Sequence, residues 1–199
     1  MGNDSNYYEK EGKKFDRITR ILGYFKNPEL VKWELRVGAK EAKRICTVAQ
    51  KRGTNVDEAI RKHVSGEKVP KFKTIEEENC FKAYLQWRED YSIKSVLSAS
   101  TLFDDDAFIA GTPDLWLPDE TLDIKCASSI RDNYWLQTEW YSRKHGDSFK
   151  SILRLDGNLA QYEYKKIPVS DYHSQVFDAL ITVYRFYNEA PSQTGEEAV

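Results

Sequence analysis

Between Leu115 and Cys126, apolar and polar side chains alternate on both sides of Pro118-Asp119, and this limits the possible folds more than any other stretch of the chain. Successive side chains of a strand point to opposite faces. Leu122, Ile124 and Cys126 are therefore expected on an interior face, and Asp123 and Lys125 on the other. A two-residue turn at Pro118-Asp119 sets Leu117 opposite Glu120, Leu115 opposite Leu122 and Asp114 opposite Asp123. A four-residue loop would set Asp114 opposite Lys125. Either even-length loop puts Asp114, Asp123 and Lys125 on one face, whereas a three-residue loop breaks both the acidic and the apolar match.

Helical spacing dominates the flanks. Asn27-Pro28 reads as a helix start ahead of Leu30, Val31, Trp33, Leu35 and Val37. Ala42, Ile45, Ala49, Val56, Ala59 and Ile60 mark a long helical stretch from about Ala39 to Val64, which Gly53-Thr54 is expected to split or kink. Thr74, followed by Glu76 to Glu78, is an N-cap for a helix to about Asp90. Short strands follow: Ser95–Leu102, Ala107–Gly111, Leu115–Leu117 and Thr121–Cys126. A helix is predicted over Asp132–His145, then a hairpin of Ser151–Leu155 and Gln161–Tyr164, then a helix over Ser170–Glu189. The expected organisation is a flexible N-terminus over 1–14, one domain over 15–190 and a disordered tail over 191–199.

Thirty basic against 32 acidic residues in 199 give a formal charge of −2. That excludes a histone-like polycation but not nucleic-acid binding, which depends on where positive charge lies. Cys46, Cys80 and Cys126 are odd in number and far apart, which fits a reducing compartment better than a disulfide framework. Met1-Gly2-Asn3-Asp4 has no basic-then-apolar signal pattern, and no apolar run reaches the roughly 20 residues of a membrane span. The expectation is a cytoplasmic protein with no membrane partner.

Two carboxylates with Cβ atoms about 5 Å apart repel unless a cation lies between them. Oxygen ligands on a rigid sheet suit Mg²⁺ or Mn²⁺. Lys125 beside such an ion could orient or deprotonate an attacking water and stabilise charge on a phosphate. The chemistry this implies is metal-assisted phosphodiester hydrolysis.

Pro113-Asp114 followed by Asp123-Ile124-Lys125 resembles the PD-(D/E)XK nuclease signature, in the Gly-Thr-x-Asp form of RecB-like and phage-type exonucleases. Gln137-Thr138-Glu139-Trp140-Tyr141 is similar to that subgroup's Q-x-x-x-Y motif. Arg52-Gly53-Thr54-Asn55-Val56-Asp57-Glu58 resembles its R-G-T-x-V-H-E helix start, and Ile18–Leu22 through Trp33 and Gly38 resembles its entry segment. The resemblance spans roughly Arg17 to Tyr187.

It implies an α/β, restriction-endonuclease-like core: a mixed central sheet of about four or five strands flanked by helices. It implies metal binding by Asp114, Asp123, the Ile124 carbonyl and Asp57, catalysis by Lys125, and positioning of Lys125 and the nucleic-acid backbone by Gln137 and Tyr141. The function implied is a Mg²⁺- or Mn²⁺-dependent deoxyribonuclease. An exonuclease of phage or recombination and repair DNA processing is favoured over an endonuclease or an inactive nucleic-acid-binding relative. The partners implied are DNA and a recombination or replication protein, in a bacterial or phage-infected cell. Asp57 stands where the subgroup usually has His, and the acidic residue often found before Gly-Thr-x-Asp is replaced near Ser98 or Ser100. No cysteine follows Cys126, so no iron–sulfur cluster is expected.

His63, His145 and His173 are scattered and read as surface or partly buried residues. Trp135 and Trp140 flank Gln137, with a core role favoured over base stacking. Two basic groups are candidate phosphate contacts: Lys40, Lys43, Arg44, Lys51 and Arg52; and Arg131, Arg143, Lys144, Lys150 and Arg154 with His145. Acid collects in Glu76–Glu78, Asp104–Asp106 and Glu196-Glu197.

Overall fold

The computed structural model describes residues 7–25, 27–94 and 96–188, so the expected tail and Glu196-Glu197 lie outside the described residues. Within them the chain is mixed α/β. A five-stranded sheet runs in the order β3 (Leu97–Ser98), β6 (Leu115–Leu117), β7 (Glu120–Lys125), β8 (Phe149–Asp156), β9 (Gln161–Pro168). Only the β7–β8 pair is parallel. Parallel neighbours need a long crossover, and α5 (Asp132–His145) supplies it. The sheet flanked by helices agrees with the expected architecture.

The β6–β7 hairpin turns in two residues at Pro118-Asp119, with Leu115 paired to Leu122 and Leu117 to Glu120. Asp119 takes the left-handed conformation at φ 56°, which Asp tolerates better than most residues. One face of this sheet packs on α3 (Ala39–Val64) and α4 (Ile75–Asp90), where Val56, Ile60, Tyr84 and Trp87 meet Leu115, Leu122, Leu153 and Leu155. Each fully buried leucine there contributes about 1.5–3 kcal/mol. Ile124 and Cys126 pack against the same cluster, as the alternation requires. Thr74 caps α4, its Oγ1 accepting from the Glu77 N–H at 3.2 Å.

Three expectations are corrected. Helix α3 continues through Gly53 for 26 residues. A mid-helix glycine costs about 1 kcal/mol, and burial of Val56, Ala59 and Ile60 outweighs that. Residues 7–14 are not loose: β1 (Tyr7–Lys10) pairs with β2 (Lys13–Arg17). A second sheet, ordered β1-β2-β5-β4, joins this hairpin to β5 (Ile109–Gly111) and β4 (Leu102–Asp104). The pairing of β2 with β5 is parallel, and Lys10 bonds Asp105 at 3.0 Å.

Third, several members of the basic groups are structural. Lys150 is fully buried in an ion pair with Glu139. Glu139 also accepts from the Ser174 hydroxyl at 2.8 Å and the Ser170 N–H at 3.2 Å, while Lys150 donates to His173 Nδ1 at 2.9 Å. The network joins α5, β8 and α6 (Asp171–Asn188) and satisfies both charges. Arg154 is likewise taken up by Glu163 and Asp156, and Lys144 by Asp104 at 2.5 Å. The α3 group differs, since Lys40, Lys43 and Lys51 are exposed. Helix α2 (Pro28–Val37), capped by Asn27 Oδ1 accepting from the Glu29 N–H at 2.8 Å, leads into that stretch.

Candidate active site

The polar face of β7 looks toward α5. Asp114 sits just before β6, and the two-residue turn carries its register to a position opposite Asp123. Asp114 Oδ2 accepts the Ile124 N–H at 2.6 Å, which holds the carboxylate against the β7 backbone. Asp123 is 2% exposed, and its Oδ2 lies 2.5 Å from Lys125 Nζ. That ion pair makes Lys125 the partner of the buried Oδ2.

Helix α5 completes the arrangement. Lys125 Nζ donates to Gln137 Oε1 at 3.0 Å, and Gln137 Nε2 donates to the Tyr141 hydroxyl at 3.1 Å. The i,i+4 spacing places Gln137 and Tyr141 on one helix face, and the chain of donors fixes the Gln137 amide with its carbonyl toward the ammonium. Trp140 is core, 4% exposed, and does not serve as a stacking surface.

Burial disfavours the charged form of each acid, and mutual repulsion adds to it. Asp114 is pushed well above the usual carboxylate range, first by burial and then by Asp123 and Asp57. Asp123 is raised by burial, against the pull of Lys125. Lys125 is itself raised: burial opposes its charge, but Asp123 and Asp114 outweigh that. Burial and Asp123 also push the Tyr141 phenol well up, so it stays protonated.

Asp57 is on α3, close enough for its charge to act on Asp114, but its carboxylate is paired with Arg61 at 2.9 Å. Among the described residues no three His, Cys, Asp or Glu side chains gather closely enough to hold a metal ion. Asp114, Asp123, the Ile124 backbone, Lys125, Gln137 and Tyr141 are brought together; Asp57 stands at their edge. Two neighbours fix this part of α3. Arg52 Nη2 donates to the Cys126 carbonyl at 3.3 Å, and buried Glu77 accepts from Asn55 Nδ2 at 2.6 Å.

Several residues around the site were not assigned roles from sequence. Tyr134 places its ring 5.0 Å from Lys125 Nζ. Its position one helical turn before Gln137 was a readable signal. Thr112 Oγ1 bonds Thr101 Oγ1 at 2.8 Å and the Tyr8 hydroxyl at 3.1 Å, so the N-terminal hairpin borders the site. No local pattern announced that contact. Gly111 is required because Tyr141 covers it: a Cβ there would lie 2.7 Å from Tyr141 Cε1 and 2.7 Å from Ile18 Cγ2. Gly111→Ala is therefore expected to displace Tyr141 and loosen Gln137, at a cost of about 1–3 kcal/mol. A thermal melt should show the loss of stability.

No family model matches the chain, and no curated protein matches it. Among solved structures it is similar to an alkaline exonuclease, LHK-Exo, from Laribacter hongkongensis, with a TM-score of 0.49 and 15% identity, over 69% of this chain and 79% of that one. The same enzyme in complex with dAMP gives 0.47 and 16%, over 69% and 80%. SSO0001 gives 0.44 and 8%, over 93% and 80%.

Proposed function

We propose that this chain is a divalent-metal-dependent nuclease that hydrolyses DNA phosphodiester bonds as an exonuclease in phage or recombination and repair DNA processing. The observation that carries the reading is the placing of Asp114 opposite buried Asp123 on one hairpin, beside Lys125. Asp123 is buried and paired with the Lys125 ammonium, and half-buried Asp114 is held against the same strand by the Ile124 N–H. Such a pair is stabilised by a further cation, and an all-oxygen donor set suits a hard one, Mg²⁺ or Mn²⁺. Asp114, Asp123 and the Ile124 carbonyl would hold it, with Asp57 joining on release from Arg61. When bound, the ion supplies Lewis-acid charge to the phosphate oxygens.

The protein's own groups do the rest. Lys125, kept charged by its two acidic neighbours, orients the attacking water and offsets negative charge developing on the phosphorus-bound oxygens. Gln137 holds the ammonium in place through its carbonyl, and Tyr141 holds Gln137. Tyr141, 2% exposed, acts through Gln137 rather than on the nucleic-acid backbone itself.

The second reading is a DNA-binding protein without chemistry. The pairing of Asp57 with Arg61 favours it, since it leaves two carboxylates rather than three at the centre. Titrating Mn²⁺ into the chain by calorimetry and incubating linear, circular, single- and double-stranded DNA with Mg²⁺ or Mn²⁺ separates the two. The nuclease reading expects metal binding and degradation of linear DNA. Metal binding with cleavage of circular DNA would indicate an endonuclease, and DNA binding without cleavage would leave the second reading.

A further inference from the structure

Gly53 stands in the interior of α3, where a glycine costs helix stability relative to almost any other residue. Its place in the structure does not explain it. It has no positive φ, and a Cβ built on it would meet nothing within 4 Å. Gly111, by contrast, is forced by the close approach of Tyr141. The fold would thus accept a side chain at position 53 and gain from one.

Asp57 follows one helical turn later on the same side of α3, and its charge acts on Asp114. The preceding residue, Arg52, is anchored on the Cys126 carbonyl just beyond β7, yet its buried Nε has no partner. On the outward side, Lys43, Gln50 and Thr54 are exposed. Gly53 itself is half-buried, next to Arg52 and one turn before Asp57.

We propose that Gly53 is a substrate-positioning residue: its missing side chain lets the sugar–phosphate backbone of the DNA strand being cut lie directly against α3 on its way to Asp114 and Asp123. The inference rests on the nuclease reading above. Glycine is the residue that permits such close backbone approach, and the strand then continues toward Lys43.

Gly53→Ala and Gly53→Leu test it. The readouts are thermal melting, Mn²⁺ calorimetry, anisotropy of a fluorescein-labelled DNA duplex and its single strands in Ca²⁺, and the KM and kcat of Mg²⁺-dependent degradation. Both variants should melt at or above the wild type, by about 2–4 °C for alanine, and bind Mn²⁺ as the wild type does. Gly53→Leu should weaken DNA binding and lower kcat/KM by about 10- to 100-fold, mainly through KM, because the leucine side chain stands where the strand would lie and removes its binding contacts to α3. Gly53→Ala should give a smaller loss in the same direction. Unchanged DNA binding and KM in Gly53→Leu would overturn the proposal. So would a lower melting temperature in both variants, which would make the glycine structural, or a loss of Mn²⁺ affinity parallel to the loss of activity. A wild-type chain that neither binds nor cuts DNA would remove the underlying nuclease reading, before any variant is compared.

Discussion

Lys125→Ala is expected to lower metal-dependent DNA degradation by about 10²- to 10⁴-fold, the range for losing a positioned proton-transfer group or a charge-stabilising donor. The fold should survive. Lys125 points away from the α3–α4 cluster, and the residue stranded by its loss is Asp123, whose pKa is already raised by burial. Without its ammonium, Asp123 takes up a proton rather than remaining a bare buried charge. The stability cost is therefore below the roughly 3–5 kcal/mol of a broken buried pair. Lys125→Met, which keeps the stem against Tyr134 but not the charge, should be as inactive as alanine. Circular dichroism and a fixed-time assay of linear DNA with Mg²⁺ check both points, and an alanine variant that degrades DNA as fast as the wild type would deny the lysine any role.

Asp114→Asn should separate activity from stability. Asparagine keeps the shape and can still accept the Ile124 N–H, but it cannot supply charge to a metal. The loss of activity should reach about 10³-fold, since a metal's charge stabilisation is worth several kcal/mol and each 1.4 kcal/mol is tenfold in rate. The metal-free protein should meanwhile become more stable at neutral pH. Asp114 is raised in the folded state by burial and by Asp123 and Asp57. The native state therefore binds a proton more tightly than the unfolded chain, and stability falls as pH rises. The contribution is fully present below the ordinary carboxylate pKa, about 3.9, and is lost as pH rises through the raised folded value.

Asp104 acts oppositely. Burial resists its charge, but Lys144 and the Ala107 N–H outweigh this and lower its pKa, so its contribution is lost as pH falls. Comparing wild type with Asp114→Asn cancels such terms. The melting-temperature gain of the variant should be near zero in acid, grow toward neutral pH, and shrink when Mn²⁺ is added, because Mn²⁺ stabilises only the wild type. A difference that does not vary with pH would show that Asp114 does not titrate as its surroundings dictate.

Much of the site was legible because it is local. Asp114, Asp123 and Lys125 lie on one hairpin whose register follows from Leu115 facing Leu122, and Gln137 and Tyr141 are one helical turn apart on a helix marked at both ends. What could not be read was fixed by contacts distant in sequence. The N-terminal hairpin is polar and charged, and nothing in it announces that Arg17 pairs with Ala110 or that Tyr8 reaches Thr112. Lys150 read as a phosphate contact because its burial depends on Glu139 and His173 from two other elements. The α3 helix was expected to split or kink because local propensity at Gly53 was weighed without the packing of Val56 and Ile60. Asp57, proposed as a ligand from its place in the motif, lies close to the carboxylates but pairs with Arg61.

The parallel join of β2 with β5 has a consequence for how the chain is made. Protein emerges from the ribosome at about 5–20 residues per second, so the hairpin of Tyr7–Arg17 waits on the order of ten seconds before Ile109–Gly111 exist to receive it. Over part of that interval α4 is also complete but lacks β8 and β9, the strands that pack on it. A nascent or truncated chain ending before Phe149 would present the aromatic face of Tyr84 and Trp87 to water and to other chains, and is the form of this protein most in need of a chaperone.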